Sequence, residues 1–576
     1  MNRRRFLTRA AASAALPLAS SPMQAAAPTN APAVPAGDPV GITPETIAAA
    51  ERVAAVEFTA DQRAPLARDL ASRAAGYRDT RREPIPNAVP PALGLDLRAA
   101  AGLASATGVT GTSSAWTPPD AERPTTPGDL AFLPVSALAS LLRSRRISSR
   151  ELTELCLERL RRIDPALEAV VTLTADRALR QADAADAELR AGKWRGPLHG
   201  VPWGAKDLLA VRGYPTTWGA RPFREQTFDT DAEVVRRLDA AGAVLVAKLS
   251  LGALAYGADW FGGRTKCPWN PALPSSGSSA GSCAAVAAGL VPFAIGSETL
   301  GSIVSPCTRN AVTGLRPTYG RVSRAGAMAL AWSMDKIGPI ARSVEDCALI
   351  FASIHGADPA DPGAVNAPFD WRAAAPIRGR RVGFVEAQFA AEGEWRDAYR
   401  GALETLRGLG VELVPVEMPK IPGRVVSTIL SAEAAAAFSD LTLSGEIDDL
   451  LAPRPSNWAK SMREARFIPA VEYIQANRVR TGLIKQTEEL FSRHRVEVWV
   501  TPAPGDHLSL TNATGHPAVC VPAGFAPVKD QPAGSPRRNA TAITFHAPLF
   551  ADDRALEFAH AFQRATRWHE GRPPVS

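Results

Sequence analysis

The sequence lacks several features that would place it outside the ordinary folded proteins. No run of eighteen or more apolar residues occurs, so no membrane-spanning helix is predicted. Six cysteines are spread over 576 residues without a C-x-x-C pair or a Cys/His cluster at zinc spacing, and we therefore predict no metal site. Basic runs with interleaved aromatic residues are also absent, which excludes a nucleic-acid footprint.

The formal net charge of +7 owes much to the start of the chain, where arginines without an acidic neighbour occupy positions 3, 4, 5 and 9. An alanine-rich stretch over residues 10–19 follows them. A basic start followed by a short apolar run and small residues is typical of an export signal. The paired arginines before a Phe-Leu pair resemble the twin-arginine signal, so we expect a periplasmic or secreted bacterial protein.

Composition divides the chain into five segments. Near the start of the third segment, Thr43 and Pro44 predict the start of a helix. Both linkers are recognised by their small and proline residues. The predicted segments are a signal over 1–27, a linker over 28–40, a helical N-terminal extension over 41–98, a flexible linker over 99–128 and the main domain over 129–570.

The main domain alternates helical and strand-like patterns. Leucines at 138, 141 and 142 and at 152, 155, 157 and 160 predict two amphipathic helices, the second beginning at Ser148 or Ser149. Short apolar runs that predict strands cover residues 243–247, 291–295, 381–385 and 496–500. This alternation favours an α/β fold with a mixed sheet.

Three segments devote residues to backbone shape rather than to packing. They are 197–207 (PLHGVPWGAKD), 275–282 (SSGSSAGS) and 296–303 (GSETLGSI). Loops of glycine and serine allow main-chain N–H groups to converge on an anion or an oxyanion. A single loop of this kind is weak evidence, because most are only turns, but the combination is stronger evidence for such a site.

The stretch from Ser276 to Ser302 resembles the defining motif of the amidase-signature family, and its two key serines, Ser278 and Ser302, are 24 residues apart as in that family. The likeness runs from about residue 130 to 565 and comes nearest to the A subunit of the glutamyl-tRNA amidotransferase. Further matching blocks are 314–323 (GLRPTYGRVS), 335–339 (DKIGP), 512–518 (NATGHPA) and 521–525 (VPAGF).

The resemblance implies a mixed, twisted central β-sheet covered by helices on both faces. It also implies a hydrolase that cleaves the C–N bond of a linear amide. Ser302 would be the nucleophile, Ser278 would lie in a cis peptide bond and relay the proton, and Lys206 would be the base. The oxyanion would be held by the main-chain N–H groups of Thr299, Leu300, Gly301 and Ser302. The expected partner is a small-molecule amide, and no cofactor is expected.

Elementary chemistry agrees with these roles. A serine hydroxyl becomes a good nucleophile only when a base accepts its proton. Lysine can be that base only when it is neutral, so the pKa of Lys206 has to fall from about 10.4. The apolar neighbours Val201, Pro202 and Trp203 predict the burial that would lower it.

The sequence also departs from the family motif. The acid of the motif is Glu298 instead of Asp, one glycine is Leu300, and Val304 replaces the arginine that follows Ser-Ile. In the family this acid and this arginine lie close enough to pair. Because valine cannot form the pair, we expect different support for the loop.

Three alternatives remain at this point. Gly277 to Gly281 also match G-x-S-x-G, the nucleophile elbow of α/β-hydrolase esterases, in which Ser279 would attack with a downstream histidine and acid. Prolines at 268, 271 and 274 argue against the strand that should precede such an elbow. The chain could also be a non-hydrolytic component of an amidotransferase or a catalytically inactive binding protein.

The sequence says less about the substrate than about the expected catalytic residues. Trp203, Trp218 and Trp260 suggest an apolar or aromatic substrate pocket, with core packing as the alternative interpretation. Amides, carbamates and esters share one acyl-enzyme mechanism, so the sequence does not separate them. A homodimer is compatible with the sequence.

Overall fold

The computed structural model describes residues 41–54, 59–61, 63–64, 67 and 116–576, apart from 374, 467, 530 and 533. The predicted signal, the first linker, and residues 68–115 of the extension and second linker lie outside the described residues. Helix α1 begins at Pro44 as predicted, and Thr43 Oγ1 accepts a hydrogen bond from the Thr46 N–H at 3.3 Å.

Helices occupy much of the described chain. Among the described residues, none of them is both long enough and apolar enough to cross a membrane. The helices are α1 Pro44–Ala54, α2 Pro127–Ala131, α3 Val135–Arg143, α4 Ser149–Ile163, α5 Ala175–Arg190, α6 Glu233–Ala240, α7 Ala280–Ala287, α8 Val304–Asn310, α9 Val344–Ile354, α10 Glu386–Phe389, α11 Arg396–Gly408, α12 Val425–Ala437, α13 Ser439–Ser444, α14 Asn457–Ala465, α15 Ala470–His494, α16 His507–Thr514 and α17 Asp552–Thr566.

The strands form one large sheet and two short ribbons. They are β1 Val170–Leu173, β2 Pro202–Lys206, β3 Val244–Leu249, β4 Asp259–Trp260, β5 Gly263–Arg264, β6 Lys266–Cys267, β7 Asn270–Pro274, β8 Phe293–Glu298, β9 Thr313–Arg316, β10 Lys336–Ala341, β11 Arg381–Phe384, β12 Glu412–Pro415, β13 Val498–Ala503, β14 Ala518–Pro527 and β15 Arg538–His546.

The large sheet has 11 strands in the order β1-β3-β2-β8-β10-β9-β14-β15-β13-β11-β12. It is mixed, because β2 runs parallel to β3 and β8 whereas β8 and β10 are antiparallel. All four strands predicted from apolar runs belong to it, as β3, β8, β11 and β13. The predicted α/β fold with a mixed sheet flanked by helices is confirmed.

The middle of the sheet is buried on both faces. Every residue of β2 and β3 is buried, as expected for parallel strands covered by helices. Trp203 on β2 stacks on Phe293 of β8 with ring centroids 6.1 Å apart. Because β2 and β8 are parallel, Lys206 and Glu298 end their strands at the same edge of the sheet.

The leucine-rich segments fold as predicted. The second predicted helix is α4, and Ser148 caps it by accepting a hydrogen bond from the Glu151 N–H at 2.9 Å. Its apolar face is buried, with Leu152 and Leu160 almost completely inaccessible. A Ser cap of this kind stabilises a helix by about 1 kcal/mol.

One prediction about local structure was wrong. The prolines before the serine-rich segment argued against a strand, yet Asn270–Pro274 form β7, which pairs with β6 in an antiparallel ribbon. This ribbon lies outside the large sheet. Proline is tolerated there because a two-stranded ribbon leaves one edge of each strand free of ladder hydrogen bonds.

Candidate active site

Two loops meet beside the carboxyl ends of β2 and β8. One loop carries Ser278 and Ser279 into α7, and the other carries Ser302 into α8. The N–H of Ser279 donates to the carbonyl oxygen of Ser302 at 3.2 Å, which joins the two loops directly. Lys206, the last residue of β2, therefore lies against residues that are far away in sequence.

The amine of Lys206 is surrounded by hydroxyl groups. Its Nζ lies 2.8 Å from Ser278 Oγ, 3.0 Å from Ser279 Oγ and 2.9 Å from Ser297 Oγ. The whole side chain is inaccessible to solvent. Hydroxyl groups can both donate and accept, so this shell accommodates the lysine as an ammonium ion and as a neutral amine.

Burial lowers the pKa of Lys206 to about 7, and the nearby acids Asp335 and Glu298 only partly oppose this effect. Val201, Pro202 and Trp203 are buried around β2, as the sequence predicted. A base is most effective when its pKa lies near the working pH. The environment of Lys206 therefore suits proton transfer at neutral pH.

The peptide bond between Gly277 and Ser278 is cis, as the family resemblance implied. A Cβ atom at position 277 would lie 1.8 Å from the carbonyl oxygen of Gly257, so only glycine fits this approach. Ser278 is fully buried with its hydroxyl on Lys206. Within the described residues, Ser278 Oγ and Ser302 Oγ do not form a hydrogen bond. Catalytic hydrogen bonds are often long without substrate and shorten only when substrate binds.

Ser302 retains 9% of its surface exposed, whereas Lys206 and Ser278 retain none. In the part of the chain that the structure describes, the N–H groups of Thr299, Leu300, Gly301 and Ser302 have no acceptor. Successive free N–H groups beside the partly exposed Ser302 are suited to hold a developing oxyanion.

The carboxylate of Glu298 holds the loop of residues 299–302 through hydrogen bonds to the residues that follow it. Its Oε2 accepts hydrogen bonds from the N–H groups of Ile303 and Val304 at 2.8 and 2.9 Å. Its Oε1 accepts from Arg316 Nη1 at 2.8 Å and from Asn512 Nδ2 at 2.6 Å. Burial opposes ionisation, but the charge and hydrogen bond of Arg316, the Val304 N–H and the charge of Lys336 together lower the pKa of Glu298 to about 2.

Thr299, at the start of the same loop, is fixed by Asp335. Its hydroxyl donates to Asp335 Oδ1 at 2.6 Å. The other carboxylate oxygen accepts from the N–H groups of Leu330 and Ala331 at 2.8 and 3.1 Å. Both ends of the loop are therefore held by carboxylates with a full set of partners.

Ser279 does not have the environment of an esterase nucleophile. Its hydroxyl is fully buried, bonds to Lys206, and donates to the carbonyl oxygen of Ser297 at 3.1 Å. No histidine within the described residues hydrogen-bonds to it. A nucleophile elbow needs an exposed serine and a histidine partner, so this alternative loses its structural basis.

The three tryptophans predicted to bind substrate lie in packed surroundings. Trp203 is in the core, Trp218 packs against Phe223 with ring centroids 4.6 Å apart, and Trp260 donates to the Glu168 carbonyl oxygen at 3.2 Å. Each has 7% or less of its surface exposed. Their binding role stays a prediction, and the packing favours the alternative interpretation.

Two other apolar side chains near the site are open to solvent. Leu300 is 37% exposed in the loop that precedes Ser302. Tyr256 is 56% exposed and precedes Gly257, whose carbonyl oxygen approaches Gly277. These side chains, rather than the tryptophans, are available to a substrate that approaches the serines.

Sequence reasoning missed three residues of the site. Ser297 contacts Lys206, and Arg316 and Asn512 contact Glu298. All three belong to blocks that matched the family motif, so the blocks were the available signal. Among the described residues, no group of His, Cys, Asp and Glu is arranged to hold a metal ion.

Known proteins resemble most of this chain in sequence and fold. The family model described as Amidase matches residues 151–536. The A subunit of the glutamyl-tRNA(Gln) amidotransferase from Azotobacter vinelandii is 33% identical over 488 residues, which cover 77% of this chain and 99% of that protein. The native peptide amidase of Stenotrophomonas maltophilia has a TM-score of 0.67 at 30% identity, covering 77% and 98% of the two chains. A bacterial aryl acylamidase shares the fold, with a TM-score of 0.67 at 24% identity, covering 77% and 99%.

The pKa of Lys206 leads to a pH prediction. Protonated lysine cannot accept a proton, so covalent labelling of Ser302 by a fluorophosphonate should rise about tenfold per pH unit below pH 7 and level off above it. The measurement is the labelling rate by intact mass between pH 5 and 9. Residual labelling of Lys206→Ala should lack this inflection, and an identical profile in both proteins would contradict the assignment.

Proposed function

The chain belongs to the amidase family, and from this premise we propose that it cleaves a carboxylic amide C–N bond through an acyl-enzyme on Ser302. The observation that carries the proposal is the fully buried Lys206 amine, 2.8 Å from Ser278 Oγ, beneath the loop of Ser302. A buried lysine with three hydroxyl neighbours and a pKa of about 7 is suited to act as a base.

In this mechanism, neutral Lys206 accepts a proton from Ser278 as Ser278 accepts one from Ser302. The Ser302 oxygen then forms a bond to the amide carbon, and the negative charge on the amide oxygen is held by the free N–H groups of residues 299–302. The C–N bond breaks as the proton passes back through Ser278 to the leaving amine. Water then attacks the carbon of the Ser302 ester through the same proton relay. The carboxylic acid leaves, and Ser302 regains its proton.

Fluorophosphonate labelling of variants tests these roles. Ser302→Ala should lose labelling completely, and Lys206→Ala should slow it by about 10²–10⁴ because the base is gone. Ser279→Ala removes only one of three hydroxyls around Lys206, so it should slow labelling by less than about tenfold. Intact mass measures each rate.

Circular dichroism of each variant is the control for folding. Labelling that survives in Ser302→Ala but vanishes in Ser279→Ala would favour the esterase alternative. An unlabelled wild-type protein would favour the inactive binding protein.

For the substrate, we propose an amide with an apolar group next to the scissile bond. The exposed side chains of Leu300 and Tyr256 support this choice, since an apolar group that covers them leaves water. Leucine at position 300 also replaces the glycine of the family motif, so this chain adds an apolar surface where the motif has none. The same reasoning extends to apolar carbamates and esters.

Replacing Leu300 by glycine tests the apolar contact. The ratio of kcat/KM for an aryl amide to that for acetamide should fall about tenfold or more, because a lost apolar contact costs about 1–3 kcal/mol. Trp568→Ala, which removes another exposed apolar side chain in the C-terminal segment, is the matched control and should leave the ratio unchanged. An unchanged ratio in Leu300→Gly would remove Leu300 from the substrate site.

We further propose that the protein is exported to the bacterial periplasm. The support is the sequence alone, with paired arginines before Phe6 and an alanine-rich stretch after them. Export through a receptor-read signal would carry the folded enzyme out of the cytoplasm.

Conservative substitution tests the export signal. Arg3→Lys combined with Arg4→Lys keeps the charge but removes the arginine pair, so the protein should stay in the cytoplasm of a host that has the twin-arginine pathway. Arg9→Lys lies outside the pair and should be exported normally. Cell fractionation with immunoblotting measures the distribution, and equal export of both variants would contradict the proposal.

A second candidate function follows from the curated relatives, which are A subunits of glutamyl-tRNA(Gln) amidotransferase. The same serine chemistry could act within such an assembly. Export argues against it, because charged tRNA is found in the cytoplasm. Activity confined to the cytoplasmic fraction would favour this candidate over the exported hydrolase.

A further inference from the structure

The loop that carries Ser302 lacks an arginine at position 304, yet its buried acid, Glu298, has an ion-pair partner elsewhere in the fold. In the family motif the acid of this loop can pair with an arginine at the position of Val304, which has no charge here. The structure instead places Arg316, at the end of β9, against Glu298 with Nη1 and Oε1 2.8 Å apart. Both side chains are completely inaccessible to solvent.

We propose that Arg316 is a positioning residue for catalysis, which acts through Glu298 on the loop of Ser302. Glu298, Arg316 and Asn512 are named here the Glu298 clamp. The inference rests on the proposed function, because it concerns the reactivity of Ser302. It goes beyond that function by assigning a role to a side chain that touches none of the reacting atoms.

The contacts of the clamp connect four parts of the fold. Glu298 ends β8, Arg316 ends β9, and Asn512 lies on α16. Arg316 Nη2 also donates to the His516 carbonyl oxygen at 2.8 Å, which fixes the chain just after α16. Through Glu298 Oε2 the clamp reaches the N–H groups of Ile303 and Val304, the two residues that follow Ser302.

This arrangement orients the free N–H groups of residues 299–302. The N–H groups of Ile303 and Val304 are turned toward Glu298, and the N–H groups just before them have no acceptor in the described protein. A carboxylate that holds the first residues of α8 therefore sets the direction of the preceding loop. Oxyanion donors are effective only when they are oriented before the reaction.

Charge gives the arginine a second role. A bare carboxylate under the loop would oppose the negative charge that develops on the substrate oxygen, most strongly in a site without water. Arg316 neutralises Glu298 at the same time as it holds it. The hydrogen bonds of the clamp can then support the oxyanion loop without an electrostatic penalty.

The test compares two buried arginines that each face a buried carboxylate. Arg316 pairs with Glu298, and Arg321 lies 3.8 Å from Asp552. Arg316→Gln should lower the saturating rate of fluorophosphonate labelling at least a hundredfold, with the half-saturating concentration changed less than threefold. Arg321→Gln should change the saturating rate less than threefold, even if it lowers the Tm.

Rescue separates positioning from folding. Arg316→Lys, which keeps the charge, should recover the rate to within about tenfold of wild type. Adding Val304→Arg to Arg316→Gln returns a cation to the position used in the family motif and should raise the rate at least tenfold. If Arg316→Gln does not fold, Arg316→Lys still reports on the clamp, because a labelling rate more than about tenfold below wild type in that variant would overturn it.

The outcomes are distinct. A wild-type protein that is not labelled at all contradicts the proposed function itself. A labelled wild type, with Arg316→Gln and Arg321→Gln giving the same saturating rate on folded protein, overturns the clamp alone. A lower rate in Arg316→Gln that neither charged variant restores would also overturn it, because the effect would then not depend on the cation.

Discussion

The proposed catalytic site depends on one constraint: an amine has to stay neutral inside the protein at neutral pH. Lys206 meets it at the end of a buried parallel strand, where burial lowers the pKa to about 7. Three serine hydroxyls take the place of water around the amine. The strands and helices around β2 keep water out, and the two serine loops supply the polar contacts.

Two buried carboxylates near the site each have a cationic partner. Glu298 has Arg316, and Asp207, the neighbour of Lys206, has Lys248 at 2.7 Å. Burial raises the pKa of Asp207 and lowers that of Lys248, while their mutual attraction opposes both shifts. A buried pair contributes little net stability, but the loss of one partner is costly. Such pairs therefore hold geometry, whereas the direct partners of the Lys206 amine are serine groups.

Much of the fold followed from local patterns. Apolar runs predicted β3, β8, β11 and β13, and leucine spacing predicted α3 and α4, because burial on a strand or a helix face leaves a period in the sequence. The prolines led to a wrong prediction at β7, because proline is compatible with a strand when that strand has an edge free of hydrogen bonds. The two loops of the site were found because glycine and serine there serve backbone shape instead of packing.

The sequence by itself determined the family, the mixed α/β fold and the residues proposed for the catalytic roles, because long ordered motifs and periodic burial are recorded in the order of residues. Only the tertiary structure decided which partners these residues have. Arg316 pairs with Glu298, Ser297 contacts Lys206, and Leu300 and Tyr256 are exposed whereas the tryptophans are packed. Such contacts depend on the register of neighbouring strands and on burial, and neither quantity is local in the chain.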